Sequence, residues 1–99
     1  MPDVLLTLYC ATADADSLID ALRTVTRTPL HMRIETVHGR DFRDAGASEQ
    51  VTATLDRSAI ECVEDEAAIT TILETAAAAR RRSPLRWHMT PVIARGRIP

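Results

Sequence analysis

Apolar residues occupy both faces of the first strand that the sequence predicts, over residues 4–10. Alternate positions of a β-strand point to opposite faces of its sheet. One face has Val4, Leu6, Leu8 and Cys10, and the other has Leu5, Thr7 and Tyr9. A strand that is apolar on both sides is central in its sheet. We therefore expect helices to cover one face and further copies of the chain to cover the other.

Two segments have apolar residues at the spacing of amphipathic helices. The first has a candidate N-cap in Asp14 or Asp16, and is expected to end at about Thr26, before Pro29. The second follows Asp65, which is also a plausible cap. The apolar stripes are Leu18, Ile19, Leu22 and Val25 in the first helix, and Ile69, Ile72, Leu73 and Ala76 in the second.

Three further strands are predicted, over residues 32–38, from Val51 to Glu64, and over residues 85–90. The middle one is interrupted at residues 56–58 by a bulge or a second turn, and the pattern leaves both open. Pro91 requires an edge position or a kink, so the last strand is expected to lie at a sheet margin or to continue into a contact between subunits. The order of elements predicts an α+β, ferredoxin-like βαββαβ fold, in which an antiparallel four-stranded sheet has two helices on one face.

A single domain is expected over residues 1–99, because a chain of this length holds one core. With one Phe, one Trp and one Tyr, that core must be built from aliphatic residues, and self-association would add burial. Cys10 and Cys62 are expected near opposite ends of an antiparallel pair. They are therefore interpreted as two buried thiols rather than as a disulfide.

Every basic residue is arginine, and the chain has neither lysine nor asparagine. The absence of lysine excludes a P-loop lysine, a Schiff-base lysine and a lysine general base. A net charge of -2 gives no indication of a surface for nucleic acid. The first apolar run is far too short to span a bilayer, so a cytoplasmic protein without direct membrane insertion is expected.

Two arginine-bearing stretches are candidates for binding. Residues 39–48 have no periodicity and include Arg40 and Arg43. A long loop in a small domain is used for binding or is a flexible connection, and both interpretations stay open. The run at residues 80–82 is either a phosphate site or a solvated helix end that complements the helix dipole.

Metal binding and catalysis are alternatives with weaker support. The candidate metal ligands have no close-spaced pair, so a metal site would have to be assembled across the fold or a trimer axis. His88 could act as a base in a small dimeric ferredoxin-like enzyme, but nothing in the sequence places a second catalytic group beside it. The candidate ligands are His31, His38, His88, Cys10 and Cys62.

The chain resembles the PII-like superfamily, which includes the nitrogen regulatory protein PII and CutA-like proteins. The resemblance rests on the element order, the glycine-bearing loop and three short segments, at residues 5–9, 48–51 and 91–97. Within the superfamily, the chain is most similar to a bacterial family of unknown function (domain of unknown function 3240). Members of that family often accompany heavy-metal efflux systems.

The resemblance implies a homotrimer with inward-facing sheets and ligand clefts between subunits. In PII signalling proteins, the loop after the second strand engages a target protein, and tail arginines help to bind nucleotide phosphates. The target protein expected for this chain is a membrane transporter. The resemblance therefore implies ligand-binding roles for Arg95, Arg97, Arg40 and Arg43, with a nucleotide or another small anion as ligand. It leaves any cofactor or metal unidentified.

One departure from PII proteins affects this expectation. Residues 79–84 replace the glycine- and lysine-bearing loop that binds nucleotide phosphates, which argues against ATP as the ligand. The leading prediction is a non-catalytic regulatory or binding protein that uses residues 39–48 for a partner. The alternatives are a CutA-like metal-binding protein linked to heavy-metal resistance and a small dimeric enzyme.

Overall fold

The computed structural model describes residues 2–38, 54–79 and 84–99. Its strands form one antiparallel sheet in the order β2-β3-β1-β4. This topology confirms the α+β, ferredoxin-like βαββαβ fold, with the first and third strands in the middle. The elements are β1 (Asp3–Ala11), α1 (Ala15–Leu22), β2 (His31–His38), β3 (Thr54–Asp65), α2 (Ile69–Ala79) and β4 (Arg86–Pro91), and a short 3-10 turn precedes each helix.

Both helices pack on one face of the sheet and enclose an aliphatic core. Removing a large aliphatic side chain from water contributes about 1.5–3 kcal/mol, so this cluster is the main source of stability. The predicted apolar stripe of the second helix is confirmed, with Leu73 at its margin. The core consists of Val4, Leu6, Leu8, Cys10, Ala15, Leu18, Leu22, Ile60, Cys62, Ile69, Ile72 and Ala76.

The third strand is continuous through residues 56–58. Arg57 pairs with Ala11 of β1 and with Glu35 of β2, and Ser58 is paired on both sides in the same way. Both expectations for this stretch, a bulge and a second turn, were therefore wrong. The predicted start of the strand at Val51 lies outside the described residues.

The two cysteines are free and buried, as predicted. Cys10 pairs with Ser58, whereas Cys62 pairs with Leu6. This register separates the two cysteines by about 13 Å along the strands, which is too far for a disulfide. Burial is the main cause that raises the pKa of each thiol to about 11.

The first helix ends at Leu22 instead of about Thr26. Beyond it, the N–H groups of Thr24 and Val25 donate to carbonyls three residues back, at 3.2 and 3.0 Å. The hydroxyls of Thr24 and Thr26 also donate to the carbonyls of Ala21 and Leu22, at 2.7 and 2.9 Å. Threonine side chains that bond to nearby backbone compete with helical geometry, and the chain leaves the helix as a series of turns.

Only one of the two helix starts has a side-chain cap. The Asp65 carboxylate accepts a hydrogen bond from the Ala67 N–H at 2.9 Å, which confirms this predicted cap. Asp14 precedes α1 but makes no capping bond, because its φ of -94° and ψ of -9° are not the extended values of a capping residue. Its side chain is buried instead.

The last strand lies at a margin of the sheet, as Pro91 predicted. Residues 92–99 continue from it without regular secondary structure. Within the described ranges, no helix has the length and apolar character needed to cross a bilayer.

Candidate functional site

A cleft of about 530 Å³ opens where the start of β1, the end of β3 and the start of α2 meet. Antiparallel pairing sets Asp3 opposite Asp65 at this end of the sheet. The N–H of Val92 donates to the Asp3 carbonyl at 3.0 Å, which holds the chain after β4 beside the opening. Arg95 then lines the cleft, together with Arg27 from the turn after α1.

Arg95 is fixed at the cleft by an ion pair with Asp3. Its Nε donates to Asp3 Oδ2 at 2.9 Å, and both side chains are partly exposed. A guanidinium has five N–H donors in a planar fork, and this bond occupies one of them. The remaining donors are of the type that binds phosphate or carboxylate oxygens in pairs.

The charge of the cleft is mixed. Asp3, Glu64 and Asp65 supply three carboxylates, and Arg27 and Arg95 supply two guanidinium groups. The carboxylates therefore outnumber the guanidinium groups along the walls of one chain. Tight binding of an anion would require additional positive charge beyond these residues.

Glu64 is buried in the wall of the cleft and holds the turn after α1. It is 3% exposed, and its Oε1 accepts the Arg27 N–H at 2.9 Å. The Thr28 hydroxyl lies 3.0 Å from Glu64 Oε2 and 2.6 Å from the Val63 carbonyl. The sequence analysis did not single out Glu64, although strand alternation places it on the same face as Cys62. A carboxylate at such a position must accept hydrogen bonds to be buried.

The structure brings one of the four predicted ligand-binding arginines to the cleft. Arg95 lines it, whereas Arg97 is exposed and has no hydrogen bond or ion pair with any residue the structure describes. Arg40 and Arg43 lie outside the described residues, as does the arginine run at 80–82. The roles predicted for these arginines stay predictions.

A row of polar side chains crosses the sheet face opposite the helices, here called the open face. His31, Glu61, Thr7 and His88 are aligned across β2, β3, β1 and β4 in that order. The Thr7 hydroxyl donates to Glu61 Oε2 at 2.7 Å. The ring of His88 also lies beside that of Tyr9, with 5.7 Å between the ring centroids.

Arg33 completes this network from the edge strand. Its guanidinium donates to the Glu61 carboxylate and, at 2.6 Å, to Glu35 Oε1. The Arg33 bond, followed by the Thr7 bond, holds the pKa of the Glu61 carboxyl below its ordinary value. Glu61 therefore carries a stabilised negative charge and is poorly suited to act as a general base.

The open face is more polar than the first strand alone predicts. Leu5, Tyr9 and Val63 are partly buried there, but the charged groups of β2 and β3 lie among them. The sequence analysis missed this network because each member is an ordinary strand residue. Only the register brings Arg33 and Glu61 together.

Metal ligands do not cluster in the part of the chain that the structure describes. It contains no group of three or more His, Cys, Asp or Glu residues that could hold an ion. Cys10 and Cys62 are buried, and their raised pKa values disfavour the thiolate form that binds metals.

Comparisons with known proteins identify the fold. The sequence model of DUF3240, a protein family of unknown function, matches residues 1–99. A DUF3240 family protein from Shewanella baltica is similar in structure, with a TM-score of 0.80 and 15% identity, over 100% of this chain and 99% of that chain. GlnK from B. subtilis has a TM-score of 0.69 and 16% identity, over 94% of this chain and 87% of its own.

A functionally unknown protein from Pediococcus pentosaceus is also similar, with a TM-score of 0.66 and 12% identity over 99% of each chain. No curated protein matches the sequence. At these identities, the structural likeness shows a ferredoxin-like fold of the PII type and nothing further about ligands or partners.

Proposed function

We propose that this chain, which belongs to the DUF3240 family of proteins of unknown function, is a non-catalytic PII-like regulatory or binding protein that works as a homotrimer. The cleft beside Arg95 binds a small anionic ligand between neighbouring subunits, and residues 39–48 contact a partner protein. The observation that supports this most directly is the position of Arg95, which lines a cleft in a fold similar to that of GlnK.

The charge balance of the cleft explains why the ligand would sit between subunits. One chain provides more carboxylates than guanidinium groups there, so it attracts an anion weakly. A neighbouring subunit would add positive charge, for which Arg40 and Arg43 are candidates in the sequence. Ligand binding and assembly would then reinforce each other, because the complete site exists only in the assembled protein.

A binding role also fits the state of the acidic groups near the cleft. Glu64 is buried, its Oε1 accepts a hydrogen bond from the Arg27 N–H, and its Oε2 lies 3.0 Å from the Thr28 hydroxyl. Asp3 is paired with Arg95, and Asp65 caps the turn before α2. Each carboxylate thus already has a structural role, and none is positioned as a free acid or base.

Titration calorimetry with ATP, ADP and cyclic AMP tests the proposal. We expect at least one of them to bind. Arg95→Ala should weaken that binding at least about tenfold, because a hydrogen bond between charged groups contributes about 1.5–3 kcal/mol. Arg95→Lys should recover only part of the loss, since an ammonium cannot bind two oxygens through a planar fork.

The matched control is Arg23→Ala, which removes an exposed arginine at the end of α1 that does not line this cleft. Its affinity should equal that of the unmodified protein. Absence of binding for all three nucleotides at millimolar concentration would contradict the nucleotide form of the proposal. Equal losses in Arg95→Ala and Arg23→Ala would show that only overall charge matters.

A further inference from the structure

Positive and negative side chains are equally accessible to a ligand in the cleft. The positive groups belong to Arg27 and Arg95, and both residues are exposed. The negative groups belong to Asp65, which is exposed, and to Asp3, which is partly exposed. Glu64 is 3% exposed and already accepts the Arg27 N–H, so it is part of the wall. A ligand therefore meets a site of balanced charge, unlike the clefts of one sign that attract polyanions.

The two accessible carboxylates lie side by side. Asp3 and Asp65 are directly opposite each other on β1 and β3. Like charges at opposed positions of two strands repel each other. Asp3 Oδ2 accepts the Arg95 Nε–H, and Asp65 Oδ1 accepts the Ala67 N–H, both at 2.9 Å. The second oxygen of each carboxylate has no hydrogen bond to any residue that the structure describes, so an ammonium group there would gain acceptors and relieve the repulsion.

Donors for an anionic group lie next to these carboxylates. Arg95 uses its Nε–H for Asp3 and keeps the donors of its two terminal nitrogens. The guanidinium of Arg27 makes no hydrogen bond or ion pair with the described part of the chain, and its backbone is held by Glu64. Because Asp3 is bonded to Arg95, the acceptor for an ammonium group and the donors for a carboxylate are neighbours. This spacing matches the ammonium and carboxylate groups that share one carbon atom in an α-amino acid.

We propose that the cleft binds a dicarboxylic amino acid, whose carboxylates contact Arg95 and Arg27 and whose ammonium group contacts Asp3 and Asp65. The inference rests on the proposed function, because it takes this cleft as the site of the small anionic ligand. A ligand of this class has its own ammonium group, which supplies part of the positive charge that the walls of one chain lack. The cleft volume of about 530 Å³ is within the range of small-molecule sites.

Aspartate and succinate test the class of ligand by titration calorimetry on the full chain. They have the same carbon chain and the same two carboxylates, and they differ only in the ammonium group. We expect aspartate to bind at least about tenfold more tightly, because hydrogen bonds between charged groups are strong. A site that selects for negative charge alone would give the opposite order, since succinate is the more highly charged anion.

Two variants locate the partner of the ammonium group. In Asp3→Asn, the amide oxygen still accepts the Arg95 Nε–H, but the negative charge is lost. Aspartate should bind at least about fivefold more weakly to this variant, whereas succinate should keep or gain affinity. Asp65→Asn keeps an acceptor for the Ala67 N–H and should reduce the preference for aspartate in the same way. A general loss of structure would weaken both ligands and leave their ratio unchanged.

Asp16→Asn is the matched control, because it changes the net charge equally at an exposed position of α1 that does not line the cleft. The preference for aspartate should be unchanged in this variant. Its loss in Asp16→Asn would overturn the inference, because overall charge would then be sufficient to explain the preference.

Two further outcomes separate this inference from the proposed function. Succinate that binds as tightly as aspartate, or a preference that survives in both Asp3→Asn and Asp65→Asn, would overturn the inference. The proposed function would stand if succinate or a nucleotide still bound and Arg95→Ala weakened that binding. Absence of binding for aspartate, succinate and the nucleotides at millimolar concentration would overturn both.

Discussion

At the scale of single residues, the Glu61 carboxyl makes the stability of the protein depend on pH. Its folded-state pKa is depressed by hydrogen bonds from Arg33 and Thr7. A carboxyl of this kind contributes stability above its unfolded-state pKa, and the contribution is lost as the pH falls through the folded-state value. Glu61→Gln should therefore be less stable than the unmodified protein at neutral pH, and the difference should shrink as the solution becomes acidic.

Urea unfolding at several pH values between 7 and 3 measures this difference. Glu74→Gln is a suitable control, because Glu74 is exposed on α2 and has no hydrogen bond or ion pair with the rest of the described chain. Its effect should be small at every pH. A difference for Glu61→Gln that stays constant down to pH 3 would contradict the assigned role of the carboxylate.

Residue identity alone predicted some of these features. The thiols at Cys10 and Cys62 were expected to be buried, because both cysteines belong to apolar strand faces. The bond between Arg33 and Glu61 was not predictable, since the two residues are 28 positions apart and meet only in the final register of β2 and β3. The ion pair between Arg95 and Asp3 was not predictable either, because these two residues are 92 positions apart.

At the scale of elements, the Asp65 cap is the clearest local determinant. Its carboxylate accepts the Ala67 N–H at the turn that leads into α2. Asp65→Ala should lower the free energy of unfolding by about 1 kcal/mol, because an alanine leaves that N–H without a side-chain acceptor. Thermal or urea unfolding of the intact chain measures the change.

Asp65→Asn separates capping from charge in the same experiment. Asparagine caps as well as aspartate does, so this variant should stay within a few tenths of a kcal/mol of the unmodified protein. A loss for Asp65→Asn as large as that for Asp65→Ala would show that the negative charge matters more than the hydrogen bond.

The order of elements was predictable from apolar periodicity, whereas two boundaries were not. The first helix ends early because the hydroxyls of Thr24 and Thr26 donate to backbone carbonyls in the last turn of the helix. Residues 56–58 looked like an interruption because they are polar, yet Arg57 and Ser58 are buried in the middle of β3. Neighbouring strands on both sides supply the backbone partners that a polar sequence alone does not reveal.

At the scale of the whole molecule, self-association is the central expectation. The first strand is covered by helices on one face only, and residues 92–99 extend from the domain with Ile93 and Ile98 in solvent. The open face is not purely apolar, because the Thr7, Glu61 and Arg33 network crosses it. Assembly through it would therefore combine apolar contact with fixed charges, which favours one specific arrangement of subunits.

The cleft is formed by elements that are distant in the sequence, so its position could not be predicted from the sequence. Its walls come from the start of β1, the end of β3 and the segment after β4. The family resemblance singled out Arg95, but not Asp3 or Glu64, with which it shares the cleft.

Light scattering coupled to size-exclusion chromatography tests the central claim most directly. The chain has a mass of 10.9 kDa. We predict an assembly of three times that mass at micromolar concentration, which addition of the ligand identified by calorimetry would stabilise further. A stable monomer of 10.9 kDa under those conditions would contradict both the trimer and the cleft shared between subunits.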